Sequence, residues 1–346
     1  MNAFSEVSKS RSSDALAGRV MPTRRVVTIG GGTGTFTVLS GMRAYSDLDL
    51  SAIVTMADDG GSTGRLRDEY GVLPPGDLRQ CLVALSDAPQ VMRELFSFRY
   101  DRGDLKGHSF GNIFISTLEQ MTGDLDRVLD IAGEILKIRG AVIPVTLDKV
   151  RLETELVGGA RVAGQFALES NRSVSRVGIK RMWLAPHARA NPKALTAIRR
   201  ANLIVIGPGN FYSSIVPNFL VSGVVSALRR SKARKVFVVN LMNKDGQTDG
   251  FTSERYVATL EKLAGGPCID VVLYNTKRPS ESLLRRYADE GEPVSRGARE
   301  AGGRIVVGKD LLARGLYRRQ KGDTLPRTLI RHDSTKLAKA LYELLR

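Results

Sequence analysis

The feature that most restricts this chain is a repeated switch from short Val/Ile-rich runs to loops of Gly, Asp, Asn and Ser. "RRVVTIG" (24–30), "LSAIVTMA" (50–57), "ANLIVIG" (201–207) and "ARKVFVVN" (233–240) all follow the pattern, and "PCIDVVLYN" and "GRIVVG" come later. Runs this apolar suit strands covered on both faces. Helical periodicity separates most of them. The reading is therefore an α/β fold: a Rossmann-like, mostly parallel sheet with helices on both faces and right-handed crossovers. The carboxyl ends of parallel strands share one edge, so the loops after Ile29, Met56, Ile206 and Val239 are expected to converge.

Between the second and third runs, Gly76 to Lys137 reads as mostly helical. "VRLETELVGGARVAGQFALES" then alternates polar and apolar across Gly158-Gly159, a β-hairpin pattern that continues through "RVGIKRMWLAP". This predicts a small antiparallel β insertion over about 140–185. Residues 1–23 are polar and Ser-rich and read as a disordered tail, without the apolar core of a signal peptide. Residues 24–346 read as a single domain, with no repeat or flexible linker. A last helix from about Asp333 carries the apolar stripe Leu337, Ala340, Leu341, Leu344 and Leu345.

Composition narrows the function. Hydrophobic residues make up 42%, enough for a sizeable core. Cys81 and Cys268 could form at most one bridge, and the three histidines are dispersed, which excludes a disulfide framework or a structural zinc site. That fits a reducing compartment and a cytoplasmic location. No stretch approaches the roughly 20 apolar residues of a membrane span. The net charge of +16 suits nucleic acid, an anionic surface or a phosphorylated small ligand. Aromatic residues are only 6% and none interleaves with a basic cluster, so no nucleic-acid partner is expected.

The candidate site is built from loops. In "IGGGTGTFTVL", Gly31, Gly32, Thr33, Gly34 and Thr35 link a strand to a helix and expose free N–H groups to an anion. The spacing is neither G-x-G-x-x-G nor a P-loop. In "TMADDGGSTGRLR", Asp58 and Asp59 stand where a Rossmann acid meets ribose hydroxyls, or could hold Mg²⁺. Gly60, Gly61 and Ser62 form a second phosphate-type loop, with Arg65 adding charge. Asp77 and Arg79 open the helix after Pro-Pro-Gly, and a cation in a first turn hints at an anionic partner. His108 precedes a further helix start, where Ser109 caps and Asn112 is expected to face the ligand. Gly207, Pro208, Gly209, Asn210, Tyr212 and Ser213 leave the third strand, and Asn240 leaves the fourth. Asp58, Asp59 and Asp77 are the catalytic candidates, yet no acid–base pair stands out. The residues fit a holder of nucleotides, a Mg²⁺-dependent transferase or, less well, a dehydrogenase.

The ordered set "GGGTG", "ADDGGSTGRLR", "PPGDLRQCLVAL", "HSFGNIFI", "GPGNFYSSIVPN" and "DGQTDGF" closely resembles the YvcK family of gluconeogenesis factors. That family lies within the CofD-like superfamily, whose namesake is 2-phospho-L-lactate transferase. The resemblance spans about Arg24 to Leu345. It implies a cytoplasmic bacterial protein that binds nucleotide sugars of the UDP-N-acetylglucosamine type. It also implies a role in cell shape and envelope precursor supply during gluconeogenic growth, and allows a homo-oligomer. The chain departs from the family pattern at Gln80, at Asn210-Phe211 and across Lys244 to Gln247.

Overall fold

The computed structural model describes residues 23–295, 303–314 and 330–345; the predicted tail, but for Thr23, lies outside them. Val26, Val27 and Ile29 have almost no exposed surface in β1 (Arg24–Gly30), an interior strand of the main sheet. The further strands are β2 (Leu48–Val54), β3 (Ala141–Pro144), β4 (Arg151–Leu156), β5 (Arg161–Ala163), β6 (Ile179–Ala185), β7 (Leu203–Ile206), β8 (Arg234–Val238), β9 (Val271–Asn275) and β10 (Ile305–Lys309). Seven of these form one sheet in the order β10-β9-β8-β7-β1-β2-β3. Every pairing within it is parallel, with Ile29 opposite Ile53 on one side and Ile206 on the other. Strands buried on both faces explain the continuous Val/Ile runs.

The first helices are α1 (Gly32–Met42), α2 (Gly61–Tyr70), α3 (Pro75–Leu85), α4 (Gln90–Ser97), α5 (Phe110–Thr122) and α6 (Leu125–Ile135). The C-terminal helix Ser334–Glu343 is capped by Asp333, which accepts the N–H groups of Thr335 and Lys336 at 3.0 Å. Its buried Leu337 and Leu341 join the main core, and its backbone runs close against Gly41 of α1.

A second sheet is antiparallel, in the order β5-β4-β6. Two details differ from the sequence reading. β3 pairs with β2 and belongs to the large sheet, so the small layer starts only at Arg151. The hairpin alternation also stops at Ala163. Gly164 turns the chain at φ +97°, and Gln165–Ser170 forms a short helix, α7. Gln165 and Leu168 are its buried positions. A spacing of three puts them on one helical face, and that burial overrides the period-two pattern.

Candidate functional site

The strand order creates a topological switch point. From β1 the chain moves outward to β2 and β3, then returns to β7 on the other side and continues to β10. Ligands of open α/β sheets bind where such connections part. The two loops that meet here are the glycine turn after β1 and the Gly-Pro-Gly-Asn turn after β7.

Gly31 is extended, and α1 begins at Gly32 with φ +61° and no side-chain cap. Positive φ is what a residue without Cβ permits at no steric expense. Thr35 Oγ1 turns back to the Gly31 carbonyl at 3.4 Å, and the Thr33 carbonyl accepts from Thr37. Gly34 touches the opposite turn: a Cβ there would lie 1.9 Å from the Pro208 carbonyl oxygen. Pro208 follows a cis peptide bond from Gly207. Asn240, at the end of β8, fixes this turn from below. Its amide donates to the Gly209 carbonyl at 2.9 Å and accepts the Gly209 N–H at 3.2 Å. Asn210 starts a wide helical turn over Phe211–Ile215. Tyr212 is packed beside Phe211 and Phe251, and burial pushes its phenol up to about 12, so it stays a neutral hydroxyl.

The acidic pair after β2 divides. Asp59 Oδ1 accepts the Phe166 N–H at 2.7 Å and so caps α7 of the small layer. Asp58 Oδ1 accepts the Gly60 N–H at 3.0 Å. Burial raises the Asp58 carboxyl to about 6, against the Gly60 and Thr63 hydrogen bonds, and the charges of Glu169 and Asp59 add to the rise. Asp77 lies under the glycine turn, where the Gly32 N–H donates to it, and a Cβ on Gly31 would stand 2.2 Å from its Oδ2. Burial, then Asp58 and Glu169, raise Asp77 to about 8. Burial therefore favours the protonated carboxyl, while the Gly32 N–H bond and the Arg79 charge oppose the rise.

The other predicted residues form a buried chain of hydrogen bonds. Arg79 Nε donates to Asn112 Oδ1 at 2.9 Å, and Asn112 Nδ2 donates to Ser62 Oγ at 3.2 Å. Ser62 Oγ lies 3.0 Å from His108 Nδ1. Burial and the nearby Arg65 charge lower the His108 pKa, which favours the neutral ring, and in the Nε2-protonated tautomer Nδ1 would accept the Ser62 proton. These four residues tie α2, α3 and α5 together behind the second glycine loop. Arg65 itself donates to the Lys106 carbonyl at 2.8 Å, and Gly61 stands over open space.

Glu169 is the residue that the sequence reading missed, because a strand pattern hid α7. Ser213 Oγ donates to Glu169 Oε1, and Gln165 Nε2 donates to the same oxygen at 3.2 Å. Gln247 Nε2 pins the end of α7 through the Leu168 and Glu169 carbonyls at 3.0 and 2.9 Å. Lys244 faces this cluster; burial lowers its pKa and the Glu169 charge raises it. Asp58, Asp77 and Glu169 thus share one cleft, with the small layer as its wall. Among the described residues no group of three His, Cys, Asp or Glu side chains has the arrangement of a metal site. With Asp59 engaged at α7, Asp58 and Asp77 are the carboxylates that could share a Mg²⁺ ion with ligand phosphates and water. No helix among the described residues is long and apolar enough to cross a membrane.

Two glycine turns in contact at a switch point, with acids opposite, suit phosphate-linked ligands. The family model described as 2-phospho-L-lactate transferase CofD matches residues 26–311. The chain belongs to the CofD family. Within that family it is 41% identical over 325 residues to a protein of Nostoc sp., covering 92% of this chain and 68% of that protein. It is 40% identical over 329 residues to a protein of Aquifex aeolicus, covering 92% and 96%. The gluconeogenesis factor of Bacillus subtilis is 36% identical over 325 residues, covering 93% and 98%. A crystal structure of a Bacillus halodurans protein superposes with a TM-score of 0.84 at 34% identity, covering 92% of this chain and 99% of that one. Another, described as a member of the upf0052 family, agrees equally well.

Proposed function

We propose that this CofD-family chain is a cytoplasmic regulatory factor that binds a nucleotide sugar of the UDP-N-acetylglucosamine type without turning it over. The observation that carries the reading is the contact between Gly34 and Pro208, which sets two glycine turns side by side at the switch point. The pyrophosphate lies on the α1 N-terminus, and Asp58 and Glu169 accept ligand hydroxyls. The acids sit opposite the turns and not among a set of general bases, which favours holding over chemistry. On this reading the protein supports cell shape and envelope precursor supply during gluconeogenic growth. The names of its relatives support the gluconeogenic link.

A second reading is a Mg²⁺-dependent transferase of a phosphoryl-linked group from a nucleotide donor. Its support is the family model's description and Asp77 beside the turn, a buried carboxyl whose favoured protonated form is placed to donate a proton. Calorimetry with UDP-N-acetylglucosamine, with and without Mg²⁺, separates the two. Binding that persists in EDTA with intact ligand supports the regulator. Mg²⁺-dependent consumption of the donor, lost in Asp77→Asn, supports the transferase.

A further inference from the structure

Phe166, in the first turn of α7, is a large apolar side chain left 60% exposed beside the cleft. Single exposed apolar residues are ordinary on a surface, but this one is fixed against a ligand loop. Asp59 accepts its backbone N–H at 2.7 Å, which ties it to the segment after β2. A Cβ built on Gly60 would lie 3.5 Å from Phe166 Cδ2 and 3.5 Å from Asp58 Oδ1. The ring and the carboxylate therefore stand side by side, and the missing Cβ keeps the gap between them clear. The next residue, Gly61, also faces open space. Glu169 follows Phe166 by three positions on α7, the spacing of neighbours on one helical face. Its Oε1 takes Ser213 and Gln165, which leaves Oε2 to accept from a ligand. Asp58 and Glu169 are only partly buried, so both can be reached from the cleft.

Resting on the nucleotide-sugar reading above, we infer that Phe166 is a specificity-determining residue: the pyranose ring of the bound sugar lies on its face, and sugar hydroxyls donate to Asp58 and Glu169. The neighbours of the ring select the sugar over the base. A pyranose has a face of C–H bonds, which suits the negative face of an aromatic ring, and a rim of hydroxyls that donate hydrogen bonds. A uracil base would also stack, but its polar edge carries two carbonyl oxygens for one N–H, and an ionised carboxylate only accepts. Base carbonyls would meet Asp58 and Glu169 lone pair to lone pair. A phosphate would meet them charge to charge. The inference also gives the ligand a direction. With the pyrophosphate on the α1 N-terminus, the sugar points to the small layer and the nucleoside runs the other way, toward β7 and β8. The small antiparallel layer is then the part of the fold that reads the sugar.

The test is calorimetry of the full chain with UDP-N-acetylglucosamine and with UDP, which has the nucleoside and the pyrophosphate but no sugar. Phe166→Ala should weaken UDP-N-acetylglucosamine about fivefold or more and leave UDP within about twofold of the parent, the loss expected of one stacking contact. Phe166→Tyr keeps the ring and should bind both ligands as the parent does. The side chain lies outside the core; should Phe166→Ala still prove unstable, Phe166→Leu, which keeps apolar bulk without a ring face, gives the same readout. Equal weakening of both ligands would put the base or the phosphates on the ring and overturn the inference, as would unchanged affinity for both. The nucleotide-sugar reading survives either of those results. A wild type that binds neither ligand overturns that reading, and this inference with it.

Discussion

Gly34→Ala isolates the contact on which the cleft depends. Gly34 lies in the first turn of α1, where alanine is intrinsically better than glycine by about 0.5–1 kcal/mol. Propensity alone therefore forecasts a stabler protein. The structure forecasts the reverse. The new Cβ would stand 1.9 Å from the Pro208 oxygen and 2.5 Å from the Pro208 carbonyl carbon, both backbone atoms that cannot rotate away. Van der Waals contact needs roughly 1.5 Å more, so the turns after β1 and β7 must separate. Overpacking of this kind is unfavourable by about 1–3 kcal/mol, which leaves a net loss of roughly 1–2 kcal/mol after the propensity gain. Urea unfolding should show a lower midpoint at an unchanged slope. Calorimetry should show nucleotide-sugar affinity reduced at least tenfold, since a shift of about 1 Å between the turns misplaces the phosphate donors. A Gly34→Ala protein as stable as the parent and with the parent's affinity would refute the two-turn model of the site.

Three further outcomes follow from the same geometry. Asp77 holds its proton to about 8 in the folded protein but only to about 3.8 in the unfolded chain, so the native state binds more protons between these values and stability falls as pH rises through them; Asp77→Asn should flatten that decline and raise Tm at the alkaline end, and an equally steep Tm–pH profile in the variant would count against the buried acid. Asn112→Ala removes the link between Arg79 and Ser62 and should lower stability by about 2–4 kcal/mol in chemical unfolding, against near-neutrality if the chain of hydrogen bonds is incidental. Asp59→Ala removes the cap of α7 and should destabilise by about 1 kcal/mol and weaken ligand binding equally with or without EDTA; a loss confined to Mg²⁺-containing buffer would restore Asp59 as a metal ligand.

Much of this arrangement was legible in the residues. Val26, Ile53, Ile204 and Val236 sit in short Val/Ile-rich runs, and such runs become interior parallel strands because both faces are covered. The turns at Gly31 and Gly207 were legible because glycine clusters between strand and helix have few other uses. What sequence could not give was direction. Asp58 and Asp59 are neighbours in the chain, yet one faces the cleft and the other caps a helix from a distant segment. Arg65 reads as added charge for the second phosphate-type loop, but it donates to the Lys106 carbonyl, and its neighbour Arg67 is likewise committed to the carbonyls of Asp58 and Val150 at 2.9 and 2.8 Å. Glu169 was hidden because a six-residue helix leaves too short a periodicity to separate from a strand, and its role comes from Ser213, far away in sequence. Tertiary contacts decide such cases, and local pattern does not contain them.

The position of β1 also governs how the chain is made. Its edge toward β7 pairs with residues far downstream: the Arg25 N–H, for example, donates to Asn202 Oδ1, 177 positions later. The other edge finds β2 almost at once, with Arg24 opposite Leu48. On a ribosome adding about 5–20 residues per second, the gap amounts to roughly 10–35 s. Through that interval the nascent half-sheet of β1 and β2, joined by β3 only once residue 144 is made, presents an apolar strand with unpaired N–H and C=O groups, the kind of edge that recruits other chains. The glycine turn that later meets Pro208 is complete in sequence but has nothing to close against. On the proposed function, ligand binding is therefore a late event in biosynthesis, and a chain released before β7 emerges has its hazard already exposed and its site still incomplete.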